Sequence, residues 1–401
     1  MNTKTTIPKI KSTYNLQLSQ WIYHCFPSIA QRPKQRKMLF ISFLALLIGY
    51  FDGSIAALEE RVFRAYGNNF LRYLLTASSI HWNNLMVSYE RWVIKHISSY
   101  ANANDFQIAI SIDDSLVEKD KRSKHIAKGG KRLKTEGLSL LTAVLSVKEM
   151  SMSLVPRLCF RRDYCRLHGG EYVSKTEKAM LLLKHWLDQG LDSKNLICLF
   201  DSWYASKELI NFCQNRGLNY VFGIKSNRQL NGRRIDSYKT GIRYVRAEKL
   251  SRGDYDYYLC VRRGKLNGVK GKVSVLISKR VRRDSGKTSW RYFCSNLTEE
   301  KVIFCWIRER WKVETYHQIF KMRFKPEKWR LHGEERMSHL LILTNMSMGF
   351  AVKYFLSHNK LELMSPGRSL EHSIMSESLN FIRATLISNK EIVESSFHRR
   401  I

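Results

Sequence analysis

The hydrophobic period of this chain changes near residue 104, and that change constrains the fold more than any other feature. From about 38 to 100, Leu, Ile, Phe and Trp recur at threes and fours, the spacing of a helix face. Turn residues at Gly53, Gly67-Asn68-Asn69 and His81-Trp82-Asn83-Asn84 divide that stretch into short helices. After 104 the pattern alternates: 107–112 reads as a strand running into Asp113-Asp114-Ser115. Strand-like runs follow at 138–147, 152–160, 196–200 and 220–224, with helix patterns at 175–187 and 206–216 between them. Such interleaving predicts an α/β protein with a mixed sheet flanked by helices.

Two later segments complete the plan. Residues 227–297 alternate Tyr, Val and Ile with Arg and Lys between Gly-containing turns, which predicts an antiparallel β insertion with a basic face. Helix resumes at about 298, with Glu299 and Glu300 placed where the helix dipole favours acids, and runs to about 322. A further helix is expected at 338–355. The expected organisation is a basic arm (1–37), a helical domain (38–104) that with its basic lead-in suits DNA binding or else is a plain cap on the core, a first core part (105–226), the β insertion (227–297), a second core part (298–360) and a Ser-rich tail (361–401).

Charge narrows the partner. A formal net charge of +33 favours a polyanion, nucleic acid first and an anionic membrane surface second. Residues 38–51 are mostly apolar but number only 14, short of the roughly 20 a membrane span needs. A buried helix and no membrane partner are expected. The eight cysteines form no CxxC pair, which reads as reduced thiols in a cytoplasmic protein. Cys159, Cys165 and His168 lack a fourth ligand at zinc spacing. Gly129-Gly130-Lys131 lacks the earlier glycine and following Ser/Thr of a nucleotide-binding loop.

The acids carry the chemistry. Asp114 ends one expected strand and Asp201 another, and strand C-termini are where α/β sheets gather ligands. Asp201 follows five apolar or thiol residues; it is either a helix N-cap or a paired or metal-bound acid. On the 298–322 helix, at about 100° per residue, Arg310, Glu314, His317 and Lys321 share one stripe that Ile303 and Ile307 extend. A solvated charged face is the plain alternative. The preferred reading is a metal ligand flanked by phosphate-gripping cations. Carboxylates are hard ligands for Mg²⁺, and a two-metal site activates the attacking oxygen and stabilises the leaving one of a phosphodiester.

The order of elements and acids resembles the DDE transposases with an RNase H-like core. The resemblance is to the bacterial insertion-sequence branch whose β insertion precedes the catalytic glutamate. Its signature Tyr-x2-Arg-x3-Glu-x6-Lys reads here Ile307-x2-Arg310-x3-Glu314-x6-Lys321, with the tyrosine replaced. The resemblance implies metal-dependent cleavage at the ends of an insertion sequence and strand transfer into target DNA. It implies two Mg²⁺ ions (for which Mn²⁺ can substitute) on Asp114, Asp201 and Glu314. Arg310, Lys321 and His317 would contact DNA, within a homodimeric synaptic complex in the cytoplasm at the nucleoid.

Three points stay open. The family's aspartate just before Ser or Thr selects Asp114, with Asp113 as its competitor, since strand neighbours face opposite ways. Trp203 reads as a core residue, with stacking on a displaced base as the alternative. Arg262, Arg263, Lys279 and Arg280 fit either flanking DNA or a solvated face. The rival functions are an RNase H-fold nuclease without strand transfer and a non-catalytic DNA-binding protein derived from a transposase.

Overall fold

A computed structural model describes residues 21–22, 25–26, 39, 42, 54–58, 69–119, 127–128, 136–240, 243–247, 254–331 and 333–357. The C-terminal tail and almost all of the expected basic arm lie outside these residues, as does most of the apolar 38–51 segment. Trp21, Ile22 and Phe26, within the span expected as an arm, are buried.

The N-terminal part is helical: α1 (Ile55–Leu58), α2 (Phe70–Leu75) and α3 (Trp82–Ala103). Leu85, Tyr89, Trp92, Val93, Ile97 and Ala101 give α3 a buried face at threes and fours. Glu90 on α3 is fully buried, yet accepts from Arg157 Nη2 at 2.9 and 3.0 Å and from the Val155 N–H at 3.2 Å. Tyr89 donates to the carbonyls of Ser153 (3.2 Å) and Asn345 (3.3 Å). These bonds hold the N-terminal helices to the sheet layer that follows.

That layer opens with β1 (Ile108–Glu118), β2 (Ala127–Lys128), β3 (Glu136–Val147), β4 (Met150–Ser153) and β5 (Arg157–Cys159). Next come α4 (Arg162–Leu167), α5 (Lys175–Asp188), β6 (Leu196–Phe200), α6 (Lys207–Asn215) and β7 (Asn219–Ile224). Ser174 caps α5 by accepting from the Glu177 N–H, and Ser206 caps α6 by accepting from the Leu209 N–H. β3 pairs antiparallel with β1 and, on its other side, with β4 and β5; β6 pairs parallel with β1, and β7 parallel with β6. Counting β4 and β5 as one broken third strand, the order is 3-2-1-4-5, an RNase H-like mixed sheet.

The segment after β7 contains β8 (Gln229–Leu230), β9 (Arg233–Arg234), β10 (Val245–Arg246), β11 (Tyr255–Gly264), β12 (Val273–Arg282) and β13 (Thr288–Ser295). β8 and β9 form their own small ribbon; β10 to β13 do not form a separate patch. β13 pairs antiparallel with β7, so β13, β12, β11 and β10 extend the core sheet to eleven strands among the described residues. Ser295 donates to the Tyr220 carbonyl at 2.6 Å, and Asn296 accepts from the Tyr220 N–H at 3.1 Å. The excursion is thus fastened at its exit to the strand where it began.

The chain ends in α7 (Glu300–Glu309), α8 (Trp311–Phe324) and α9 (Glu334–Ser357). The helix expected at about 298–322 is divided at Arg310, where the Val313 N–H reaches back only three residues, to the Arg310 carbonyl. Ile303 and Phe304 of α7 cluster with Ala109, Ile197, Leu199 and Val221 of the core and with Leu259 and Leu276 of the insertion. The insertion therefore helps to build the floor under the helix pair that carries Glu314. Among the described residues no helix is long and apolar enough to cross a membrane.

Candidate active site

The register of β1 against β6 decides which acids meet. Ile108 pairs with Leu196, Ala109 with Ile197, and so on to Ile112 with Phe200. Continued by one residue, that register sets Asp113, within β1, level with Asp201, the residue after β6. Residues abreast on neighbouring strands point to the same face. Ala109, Ile197 and Leu199 belong to the apolar cluster under α7, whereas Ile108, Ile110, Ile112, Cys198 and Phe200 belong to the larger cluster opposite. Alternation therefore puts Asp113 and Asp201 toward α7, and Asp114 on the far side of the sheet.

Side-chain contacts agree with that division. Asp113, 8% exposed, accepts from Arg310 Nη1 at 3.0 Å through Oδ2 and from the Asp114 N–H at 2.8 Å through Oδ1. The same Arg310 nitrogen lies 3.5 Å from Glu314 Oε1. One guanidinium thus bridges Asp113 and Glu314. Asp114 is engaged elsewhere: its Oδ2 pairs with Lys175 Nζ at the start of α5, and its Oδ1 accepts from Tyr204 at 2.9 Å. Asp201 Oδ1 accepts from the Trp203 N–H at 2.7 Å.

Electrostatics single out Asp113. Burial first, then repulsion from Asp201 and Glu314, push its carboxyl up to about 7 against the pull of Arg310. Burial also raises Asp201, opposed by the Trp203 and Tyr204 N–H groups and by Arg310. A buried and a half-buried carboxylate set level with one another are balanced only in part by Arg310, and hard oxygens of this kind suit a divalent cation. Among the described residues no group of three or more His, Cys, Asp and Glu side chains is arranged to hold a metal ion; the Arg310 guanidinium is bound between Asp113 and Glu314.

The remaining expected residues lie on α8. His317 is buried, its Nε2 has no hydrogen-bond partner, and burial with Lys321 and Arg310 lowers its pKa to about 4. Asp114 opposes that shift. Lys321 is half-buried; burial lowers its pKa, while Glu118, Glu314 and Glu327 oppose that. Lys175 and Tyr204 had no distinguishing signal in the sequence. Nor did Lys119, whose Nζ donates to the Trp329 carbonyl at 2.6 Å and whose pKa burial lowers to about 8. Trp203, read from sequence as a core residue, is 68% exposed. On the insertion, Arg262 and Arg263 are exposed, Lys279 lies 5.8 Å from the Trp290 ring, and Arg280 lies 4.4 Å from that of Tyr255.

Residues 172–349 match the transposase DDE domain family. The matched DDE segment includes Asp201, Arg310, Glu314, His317 and Lys321 and begins after β1, so the choice between Asp113 and Asp114 rests on geometry. No curated protein matches the chain at a significant level. Among solved structures, the chain is similar to the piggyBac transposase in its synaptic complex with hairpin DNA. That likeness has 13% identity and a TM-score of 0.46 over 91% of this chain and 81% of that chain.

Proposed function

We propose that the chain is a DNA transposase that cleaves DNA at the ends of an insertion sequence and joins the freed strand to target DNA. Asp113, Asp201 and Glu314 are its metal-holding acids. The observation that carries this reading is the β1–β6 register, which runs to Ile112 and Phe200 and so brings Asp113 level with Asp201, with Arg310 linking Asp113 to Glu314. This reading replaces Asp114 of the sequence expectation with Asp113. Asp114 becomes a positioning residue, tying β1 to Tyr204 in the turn after Asp201 and to Lys175 on α5.

Divalent cations, Mg²⁺ or Mn²⁺, bound by these carboxylates would activate the attacking oxygen and stabilise the leaving one. The residues of the chain supply the rest. Asp201 is oriented by the N–H of Trp203, and Asp113 by the N–H of Asp114. Arg310 neutralises Asp113 and Glu314 until DNA binds, and then grips a phosphate with its planar fork. Lys321 adds positive charge about two turns beyond Glu314 along the same helix face, and His317 lies buried between them.

The test uses the full chain and DNA bearing the element's ends. With Mg²⁺ present, D113N, D201N and E314Q fall to the uncleaved background while binding the DNA. D114N, acting through neighbours, falls about 10- to 100-fold and keeps measurable cleavage. Full cleavage by D201N and E314Q would refute the transposase reading. Full cleavage by D113N with none by D114N would return the first ligand to Asp114.

A further inference from the structure

Tyr316 lies two residues after Glu314 on α8, about 200° around the helix, so the two side chains leave opposite sides of it. The tyrosine is buried, and its hydroxyl donates to Asn345 Oδ1 on α9 at 2.8 Å. Asn345 is fully buried as well, and its amide is held at both ends. Oδ1 also accepts from Ser153 Oγ at 2.7 Å, and Nδ2 donates to the Ser153 carbonyl at 3.2 Å. Ser153 ends β4, where it pairs with Val144 of β3; Val144 pairs in turn with Ser111 of β1, two residues before Asp113. A run of hydrogen-bonded elements thus joins the back of the helix bearing Glu314 to the strand bearing Asp113.

The hydroxyl supplies a direction that the packing around it does not. Val313, Phe320 and Phe324, buried on the same helix, are apolar, and apolar contact is non-directional. The rotation of α8 is not carried over rigidly from α7, because the helix is divided at Arg310. On the acid side, Glu314 Oε1 meets Arg310 Nη1 at 3.5 Å, a long contact that fixes the carboxylate less tightly than the bond behind the helix. A turn of α8 by about 10° would carry a carboxyl roughly 6 Å from the axis through about 1 Å. A misplacement of that size costs about 10²-fold in rate.

We propose that Tyr316 is a positioning residue: its hydroxyl, bonded to Asn345, sets the rotation of α8 and so the place of Glu314 relative to Asp113 and Asp201. The inference rests on the reading of those acids as metal-holding. It adds to them a group that touches neither metal nor DNA and acts through the helix.

The experiment compares the full chain with its Y316F, Y89F and E314Q variants. Y316F removes one hydroxyl and keeps the ring. Y89F removes a hydroxyl from the same buried cluster, but one on α3 that donates to the Ser153 and Asn345 carbonyls; it controls for loosened packing. Mn²⁺ binding is read by electron paramagnetic resonance without DNA, DNA affinity by fluorescence anisotropy in EDTA, and cleavage of element-end DNA in single turnover with Mg²⁺. Y316F should bind Mn²⁺ about tenfold more weakly and cleave about 10- to 100-fold more slowly, as loss of a support behind a metal ligand does, at unchanged DNA affinity. Y89F should lower the melting temperature as Y316F does, yet keep the wild-type Mn²⁺ affinity and rate. Wild-type Mn²⁺ affinity and rate in Y316F overturn the proposal. So does an equal loss of both in Y89F, which assigns the effect to packing. E314Q that binds Mn²⁺ and cleaves as wild type refutes the metal-holding reading itself; E314Q inactive beside an unimpaired Y316F refutes the positioning role alone.

Discussion

At the scale of residues, the site is a contest between charges. Asp113 is pushed up to about 7 because burial and Asp201 outweigh Arg310. An acid with a raised folded-state pKa binds more protons folded than unfolded across the window between its two pKa values. Its contribution to stability is therefore lost as pH rises from about 4 to about 7. His317 has the opposite slope: its pKa is lowered to about 4, so its contribution is gained as pH rises from about 4 to 6.5. Because the windows overlap, single variants are needed to separate them. Urea titrations from pH 4 to 8 should show the fall with pH removed in D113N and the rise removed in H317N. On the proposed reading Mg²⁺ displaces a proton from Asp113, so the melting-temperature rise it causes should grow as pH passes about 7 in wild type and vanish in D113N. A Mg²⁺ effect independent of pH would count against Asp113 as a ligand.

At the scale of elements, the most exposed dependency is the turn after β6. Gly223 on β7 lies beside it, and a Cβ there would fall 2.9 Å from the Ser202 nitrogen and 3.3 Å from the Asp201 carbonyl carbon. Both neighbours are backbone, so the turn that orients Asp201 must move. G223A should lower DNA cleavage by about 10²-fold, as a misplacement of about 1 Å does, while remaining folded by circular dichroism. Undiminished cleavage would mean that the turn tolerates displacement. The secondary structure here was largely legible. Residues 196–200 were expected as a strand and form β6 with every residue buried. The division at Arg310 was not legible, because nothing in local propensity marks it. The Arg310–Glu314 contact survives the division at 3.5 Å, and His317, expected on the stripe that Ile303 and Ile307 extend, is buried.

At the scale of the whole molecule, the N-terminal helices, sheet and C-terminal helices share one buried polar system. Asn345 on α9 accepts from Ser153 (2.7 Å) and Tyr316 (2.8 Å), and Tyr89 of α3 reaches the Asn345 carbonyl. Gly349 permits this approach: a Cβ there would come within 2.3 Å of the Tyr89 hydroxyl oxygen. The Glu90–Arg157 pair ties the same helix to β5. Breaking a buried pair by removing one partner costs about 3–5 kcal/mol. E90A should therefore shift the whole chain's denaturation midpoint, with helix and sheet signals lost in one transition. Separate transitions would show that the N-terminal helices fold as an independent unit.

The sequence by itself determined the order of elements, the buried strand before Asp201 and the spacing of Arg310, Glu314 and Lys321, because all of these depend on residues close together in the chain. It did not determine which aspartate of the Asp113-Asp114 pair faces Asp201. That choice depends on how β1 aligns with β6 across an interval of some eighty residues. With a side-chain period of two, a shift of one residue exchanges the two faces. It also did not determine that Trp203 points to water, since an aromatic after a buried strand reads the same whether a helix covers it or nothing does. Tertiary structure decided both.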